Sequence, residues 1–552
     1  MSTDRRAIAG VIAAHLAAGL LLLTPGYIRP DSVAIYSWIR SIVFNGDLLF
    51  FDEWLGFGMI RGGIPMAKEI TELGTLANHW WVGTSMLSAP YYLAAHLVAK
   101  LTEDSPNGFF GIYSMTMAWV SVLFGIAGSV IALHILRRQQ IAAGAAMGAI
   151  AAIAVGTPML WYELRFPLGT HMAGVAIIGA LCLALFLAES RRQIALDILC
   201  GLLFGLAVTT RLQHFVLAPA VAWHLHRSGR SWTRLFLVGL ASLVPWGAQA
   251  VAWTAVYGQP LGPIAAGSSP VGGTWMVFHT VALDEVLFSS FHGLLPWAPV
   301  AAFALGGWIL ERKRFPLATT FLLMFAGEWL ANGLLDRYWW GGMSFGPRRF
   351  VDLAVPMMVG LGWFLARTRI AGALAAAAAA AWGAALAAAA AAGSLDLSSD
   401  LLPRELLTAV TSIDGGALAE SLGRGALVAS PGLALSSLAI VALISAALAP
   451  AVASLRRGTI ALLLTSLLSV AAAAFAIAPT RERAGEELAR HGLDVEGARF
   501  AGPLLDARSL LNQELRFLER RGRDDEAEQT RALIASIDLR LEKVSGFPPA
   551  DQ

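Results

Sequence analysis

Apolar runs of roughly 18 or more residues, the length needed to cross a hydrocarbon core as an α-helix, recur from the N-terminus to about Ile477. Inside lipid every backbone donor and acceptor must be satisfied by the chain itself, so only helices and closed barrels can span. The runs are continuous rather than alternating, which excludes a barrel. The expected fold class is therefore all-α, a polytopic membrane protein with about thirteen transmembrane helices. The segments are 7–26, 109–136, 141–160, 170–188, 194–210, 213–226, 235–256, 293–310, 316–334, 350–366, 370–392, 432–450 and 458–478. Composition agrees: only 14% of the 552 residues are charged, against about a quarter in soluble domains.

Residues 1–24 carry Arg5 and Arg6 before an apolar run, as a signal peptide does. No small-residue cleavage site follows before Tyr27, so the segment reads as an uncleaved first span. A net charge of +2 gives no bulk electrostatic ground for a nucleic-acid partner. Cys182 and Cys200 both fall in or beside apolar runs. They form neither a disulfide framework nor a metal site. His, Cys, Asp and Glu nowhere show compact metal-ligand spacing, and the chain carries no Walker loop or Rossmann glycine fingerprint. No cofactor is expected.

Arginines orient the spans. Basic clusters occur at Arg5–Arg6, Arg137–Arg138, Arg191–Arg192, Arg227/Arg230/Arg234, Arg312–Lys313–Arg314, Arg367/Arg369 and Arg456–Arg457. All become cytoplasmic, as the positive-inside rule requires, if the apolar segment 84–99 lies in the membrane interface instead of crossing. That leaves a long external loop, 27–108, containing juxtamembrane helices, and an external C-terminus. It also leaves Arg165, Arg211, Arg337, Arg348 and Arg349 on the outer side against the bias. Each then needs an acidic partner or an anionic ligand.

Three regions follow: 1–370 as a first transmembrane module, 371–479 as C-terminal transmembrane helices, and 480–552 as an external helical appendage. The alanine run 372–392 favours helix but is weakly hydrophobic, so it depends on close packing. From about Thr480 the chain becomes charged, with one leucine stripe through Leu504, Leu510, Leu511, Leu515 and Leu518. A second runs through Leu533, Ile534, Ile537 and Leu541, and Gly522 stands between as a turn. The pattern predicts a small helical hairpin.

The outer side collects carboxylates, arginines and aromatics. The first loop opens with "RPDSVAIYSWIRSIVFNGDLLFFDEW" and the last of the first module reads "DRYWWGGMSFGPRRF". Carboxylates can serve as general bases, arginines bind phosphate in charge-assisted bidentate pairs, and tryptophan and tyrosine offer flat faces to sugar rings. Together they suit a lipid-linked sugar phosphate at the outer leaflet.

The segments "DSVAIYSWIRSIVFNGDLLFFDEW", "GTPMLWYELRFPLGTH", "GLLFGLAVTTRLQ", "LFSSFHGLLPWAPV" and "WWGGMSFGPRRFVDLAVP" occur in this order within residues 1–370. The ordered set resembles the membrane GT-C glycosyltransferases that use polyprenyl-phosphate sugars, specifically the bacterial protein mannosyltransferase, aminoarabinose transferase and RgtA/B/C/D-like group. The resemblance implies a catalytic base at the end of the first span, where Asp31 stands, and a second acidic site, for which Asp52 and Glu53 are the candidates. It implies donor-phosphate contacts from Lys68, Arg348 and Arg349, and inversion at the anomeric carbon. Arg211, Tyr338, Trp339 and Trp340 complete the candidate substrate-binding set. The expected function is transfer of a sugar from a polyprenyl-phosphate donor to a lipid, glycan or protein hydroxyl, at the outer face of a bacterial inner membrane. A flippase for the same lipid would use the phosphate and sugar contacts without a base, and a catalytically silent scaffold would need neither.

Overall fold

A computed structural model describes residues 3–24, 30–57, 60–61, 64–65, 70–102, 106–263, 281–335, 338–342, 344–368, 370–397, 400–452, 454–490, 508 and 511–543. Regular structure among them is helical, but for a minimal antiparallel pair, Ile60–Arg61 with Ile64–Pro65, and a lone bridge between Ile70 and Leu76.

Nine of the described helices are long and apolar enough to cross a membrane: Asp4–Leu22, Ile112–Arg138, His171–Ala188, Trp232–Tyr257, Pro316–Leu334, Arg348–Arg367, Ile370–Ala391, Pro431–Pro450 and Leu455–Glu486. Three apolar helices are shorter: Ala143–Gly156, Ile194–Thr210 and Val300–Glu311. These helices fall on every expected segment except 213–226. There the count of thirteen needs correcting. The segment is a 3-10 turn, Leu212–Leu217, followed by the helix Ala218–Arg227. Ten residues rise about 15 Å, half a hydrocarbon core. The apolar run is real, but Gln213 and His214 turn inward to polar partners instead of extending a helix. Proline shortens two others. Pro158 separates Ala143–Gly156 from the six-residue helix Met159–Leu164, and Pro299 caps Val300–Glu311 after the four-residue turn Leu294–Trp297.

Within the first loop lie the helices Pro30–Arg40, Phe51–Gly56 and Gly83–Thr102. Helix Gly83–Thr102 buries Tyr92, Ala95 and Ala99 and exposes Leu93, Leu97 and Leu101. That i, i+4, i+8 stripe is the pattern of a helix lying along an apolar surface. The alanine-rich helix Ile370–Ala391 buries Ala376, Ala380, Gly383, Leu386 and Ala389 and packs along Ala143–Gly156, as small residues allow.

Helix Leu455–Arg490 runs unbroken across the composition change at Thr480. Its far end holds the first loop. The Thr480 hydroxyl accepts from the Leu48 amide at 2.9 Å, and Arg483 meets Asp47 at 3.3 Å. Beyond Arg490 the described part of the appendage forms the expected helical hairpin, 511–520 and Asp524–Lys543, turning at Gly522; Leu504 and Leu510 of the expected stripe lie outside the described residues.

Candidate functional site

Helix Pro30–Arg40 is clamped along its length. Asn78 donates to the Ala34 carbonyl at 2.8 Å, Ser85 to that of Ile35 at 2.6 Å, and Tyr36 to that of Gly108 at 2.6 Å. The clamp fixes Asp31, in the first turn, where a carboxylate also suits the helix dipole. Asp31 Oδ2 accepts from Arg348 Nη1 at 3.3 Å across 317 residues of sequence. Their side chains are 36% and 26% exposed. An ion pair this open contributes at most about 1 kcal/mol. Structural gain alone therefore explains poorly why an arginine is kept there.

Arg348 opens a 3-10 turn, Arg348–Leu353, leading into the helix Ala354–Arg367. Its side chain lies over Gly341, which has φ +82° and whose Cβ, if added, would come within 2.8 Å of Arg348 Nε. Arg349 Nη2 donates to the Tyr338 carbonyl at 3.0 Å. The two arginines expected at the donor phosphate thus sit together, one of them against the expected base.

Behind them lies a buried polar network. Asp352 Oδ2 accepts from Arg211 Nη1 at 3.1 Å and from His214 Nε2 at 2.9 Å. His214 Nδ1 faces the Ala207 carbonyl at 2.8 Å, so both ring nitrogens face oxygen partners within the protein. Arg211 also donates to His171 Nδ1 at 2.7 Å and, through Nη2, to Gln213 Oε1 at 2.8 Å. Gln213 Nε2 in turn donates to Glu328 Oε2 at 3.0 Å and to the Arg349 carbonyl at 3.1 Å. Arg211 is therefore engaged within the protein. Asp352 and Glu328 were not singled out from sequence. The available signal was an acid inside an apolar run, which is costly at membrane depth and usually marks a function.

Tyr338, Trp339 and Trp340 stand beside this site but are buried, at 9%, 7% and 2% exposed. Phe291 stacks on Trp340 with centroids 5.5 Å apart, and Phe517 of the C-terminal hairpin meets Trp339 edge-on at 5.6 Å. Trp340 Nε1 donates to Gln513 at 3.2 Å. The rings thus build a wall that the hairpin completes. His292 in this wall donates from Nδ1 to the Trp340 carbonyl at 3.0 Å. Burial lowers its pKa to about 4, Arg348 adding to the effect, so the ring is neutral.

Asp52 and Glu53 lie elsewhere. Glu53 is fully buried and pairs with Arg40 at 2.7 Å. Arg40 sits against the Phe109 ring, 3.7 Å from its centroid, and donates to the Asn107 carbonyl at 3.0 Å. Burial lifts the Glu53 carboxyl from its ordinary 4.5 to about 7, with Arg40 pulling it back. Asp52 accepts from Asn45 at 2.9 Å. Arg40 ends the helix that Asp31 begins, about 14 Å away along its axis. The structure does not bring these acids to the Asp31–Arg348 pair. Lys68 lies outside the described residues.

No family model matches this chain, and no curated protein matches it. Among solved structures it is similar to that of ArnT from Cupriavidus metallidurans bound to undecaprenyl phosphate. The two are 15% identical with a TM-score of 0.42, over 88% of this chain and 77% of that one.

Proposed function

We propose that this chain is a polyprenyl-phosphate-dependent glycosyltransferase of a bacterial inner membrane, with its site on the outward face. The observation that carries the reading is the half-open contact between Asp31 and Arg348. On this reading Asp31 is the base and Arg348, 3.3 Å from it, is the phosphate-binding cation, with Arg349 the next residue in the chain. Asp31 takes the proton from an acceptor hydroxyl as its oxygen bonds to the anomeric carbon. The bond from that carbon to the phosphate oxygen breaks, and the electron pair leaves with the polyprenyl phosphate. Negative charge grows on the phosphate in the transition state, so Arg348 and Arg349 act mainly by electrostatic stabilisation. The sugar is a hexose or pentose. The acceptor is a lipid, glycan or protein hydroxyl.

The test is release of polyprenyl phosphate from a panel of labelled polyprenyl-phosphate sugars by the reconstituted protein. Wild type releases it from one member of the panel; Asp31→Asn binds the same donor and releases none. Movement of the labelled lipid across the bilayer with no release by either protein would instead identify a flippase.

A further inference from the structure

We propose that Asp352 is a positioning residue for the Arg348–Arg349 pair, acting through Arg211 and Gln213 to fix the turn that presents both guanidinium groups. The inference rests on the donor-phosphate reading given above.

The turn is short and carries a difficult load. It has six residues, and its first two are like-charged neighbours. Its local support includes an Arg348 amide bond to Gly346 at 2.8 Å, a Phe350 amide bond to Pro347 at 3.1 Å and an Ala354 amide bond to Val351. Short 3-10 pieces have poorer hydrogen-bond geometry than an α-helix. Further support comes from outside and forms a circuit. Near the end of the turn, the Asp352 carboxylate holds Arg211. Arg211 holds Gln213. Gln213 returns to the start of the turn and bonds the Arg349 carbonyl. One chain of side chains therefore ties both ends of the turn to each other.

Each member is placed for this job by its own element. Arg211 follows the helix Ile194–Thr210 in extended backbone, φ −156° and ψ 126°, so its side chain leaves the helix axis. Gln213 and His214 come from the next 3-10 turn. Gly174, in the helix His171–Ala188, has no side chain to push Asp352 aside; a Cβ there would lie 2.7 Å from Asp352 Cγ. A lock serving stability alone does not need these charges. Apolar side chains of similar volume replace buried ion pairs with equal or better stability. This network instead ends on the backbone of Arg349.

The experiment compares binding of a polyprenyl phosphate with binding of the matching polyprenol, which lacks the phosphate, by the full-length protein in nanodiscs. Wild type prefers the phosphate, and Arg348→Gln abolishes that preference. Asp352→Asn reduces it on the order of tenfold or more, as small misplacements of binding groups do, while polyprenol affinity stays unchanged. Gln213→Ala, which leaves the Asp352–Arg211 pair intact, reduces the preference likewise and serves alone if Asp352→Asn fails to accumulate. If Arg348→Gln keeps the preference, the phosphate reading itself is wrong. If Arg348→Gln loses it but either other variant retains it, the positioning role is refuted. Equal loss of both ligands in those variants also refutes it, since that is general structural damage.

Discussion

At the scale of single residues, two acid–arginine pairs, one at each end of the helix Pro30–Arg40, contrast sharply. Asp31 with Arg348 is half-open, whereas Glu53 with Arg40 is sealed. Only the first can take part in chemistry without unfolding its surroundings. The second makes a stability prediction. Glu53 binds its proton more tightly when folded, near 7, than at its ordinary 4.5. The folded state therefore holds more protons across that window, and this group's contribution to stability falls as pH rises through it. Glu53→Gln should flatten the decline in thermal midpoint between pH 5 and pH 8; an unchanged slope would mean the carboxyl is not the source. Gly341 makes the other residue-scale prediction. Alanine there meets both a positive φ and the Arg348 side chain, so Gly341→Ala should cost about 1 kcal/mol or more and weaken donor binding. Unaltered donor affinity would contradict the close approach of Arg348 to that backbone.

At the scale of elements, the C-terminal hairpin is tied to the site wall rather than hanging free. Phe517 packs against Phe291 and Trp339. Arg523 meets Glu285 at 3.0 Å, Arg521 meets Ser290 at 3.0 Å, and Arg520 donates to the Asp400 carbonyl. The aromatic contact carries most of the gain, since Phe517 is buried and the arginine pairs are partly exposed. Phe517→Ala should loosen the hairpin by about 3–5 kcal/mol. Limited proteolysis near Gly522 should then quicken, while Arg523→Ala changes it little; equal effects would reverse that ranking.

The elements also mark what could be read in the sequence. Apolar run length gave the span positions, and leucine spacing with Gly522 gave the hairpin. The segment 213–226 misled because its apolar run hides a turn that buries His214 and ties Gln213 to Glu328 and the Arg349 carbonyl. Arg348 and Arg349 could be singled out because a topology argument does not depend on sequence distance, and Asp31 only through the family resemblance, which places an acid at the end of the first span. The Asp352 circuit could not, since its members come from elements more than a hundred residues apart and their pairing exists only after the helices pack. The three aromatics Tyr338, Trp339 and Trp340 are buried, and nothing in the sequence indicated that Phe291 and Phe517 would cover them.

At the scale of the whole molecule, the positive-inside rule predicts that the basic clusters face the cytoplasm. The native thiols Cys182 and Cys200 are both buried, so introduced cysteines can be read above a low background. Leu539, 54% exposed on the hairpin, should label as Leu539→Cys in intact cells with an impermeant maleimide. Lys313→Cys should label only after the membrane is opened. The opposite pattern would invert the bundle and put Asp31 and Arg348 on the cytoplasmic side. Orientation matters because the chain has no recognised nucleotide-binding motif, and a lipid-borne donor at the outer leaflet meets that need. The most direct measurement is therefore release of polyprenyl phosphate from labelled polyprenyl-phosphate sugars, wild type against Asp31→Asn, in proteoliposomes with donor binding measured in parallel. Release by wild type, and none by a variant that still binds donor, is the predicted result. Undiminished release by Asp31→Asn would contradict the assignment of the base and, with it, the pairing of Asp31 and Arg348 as the catalytic centre.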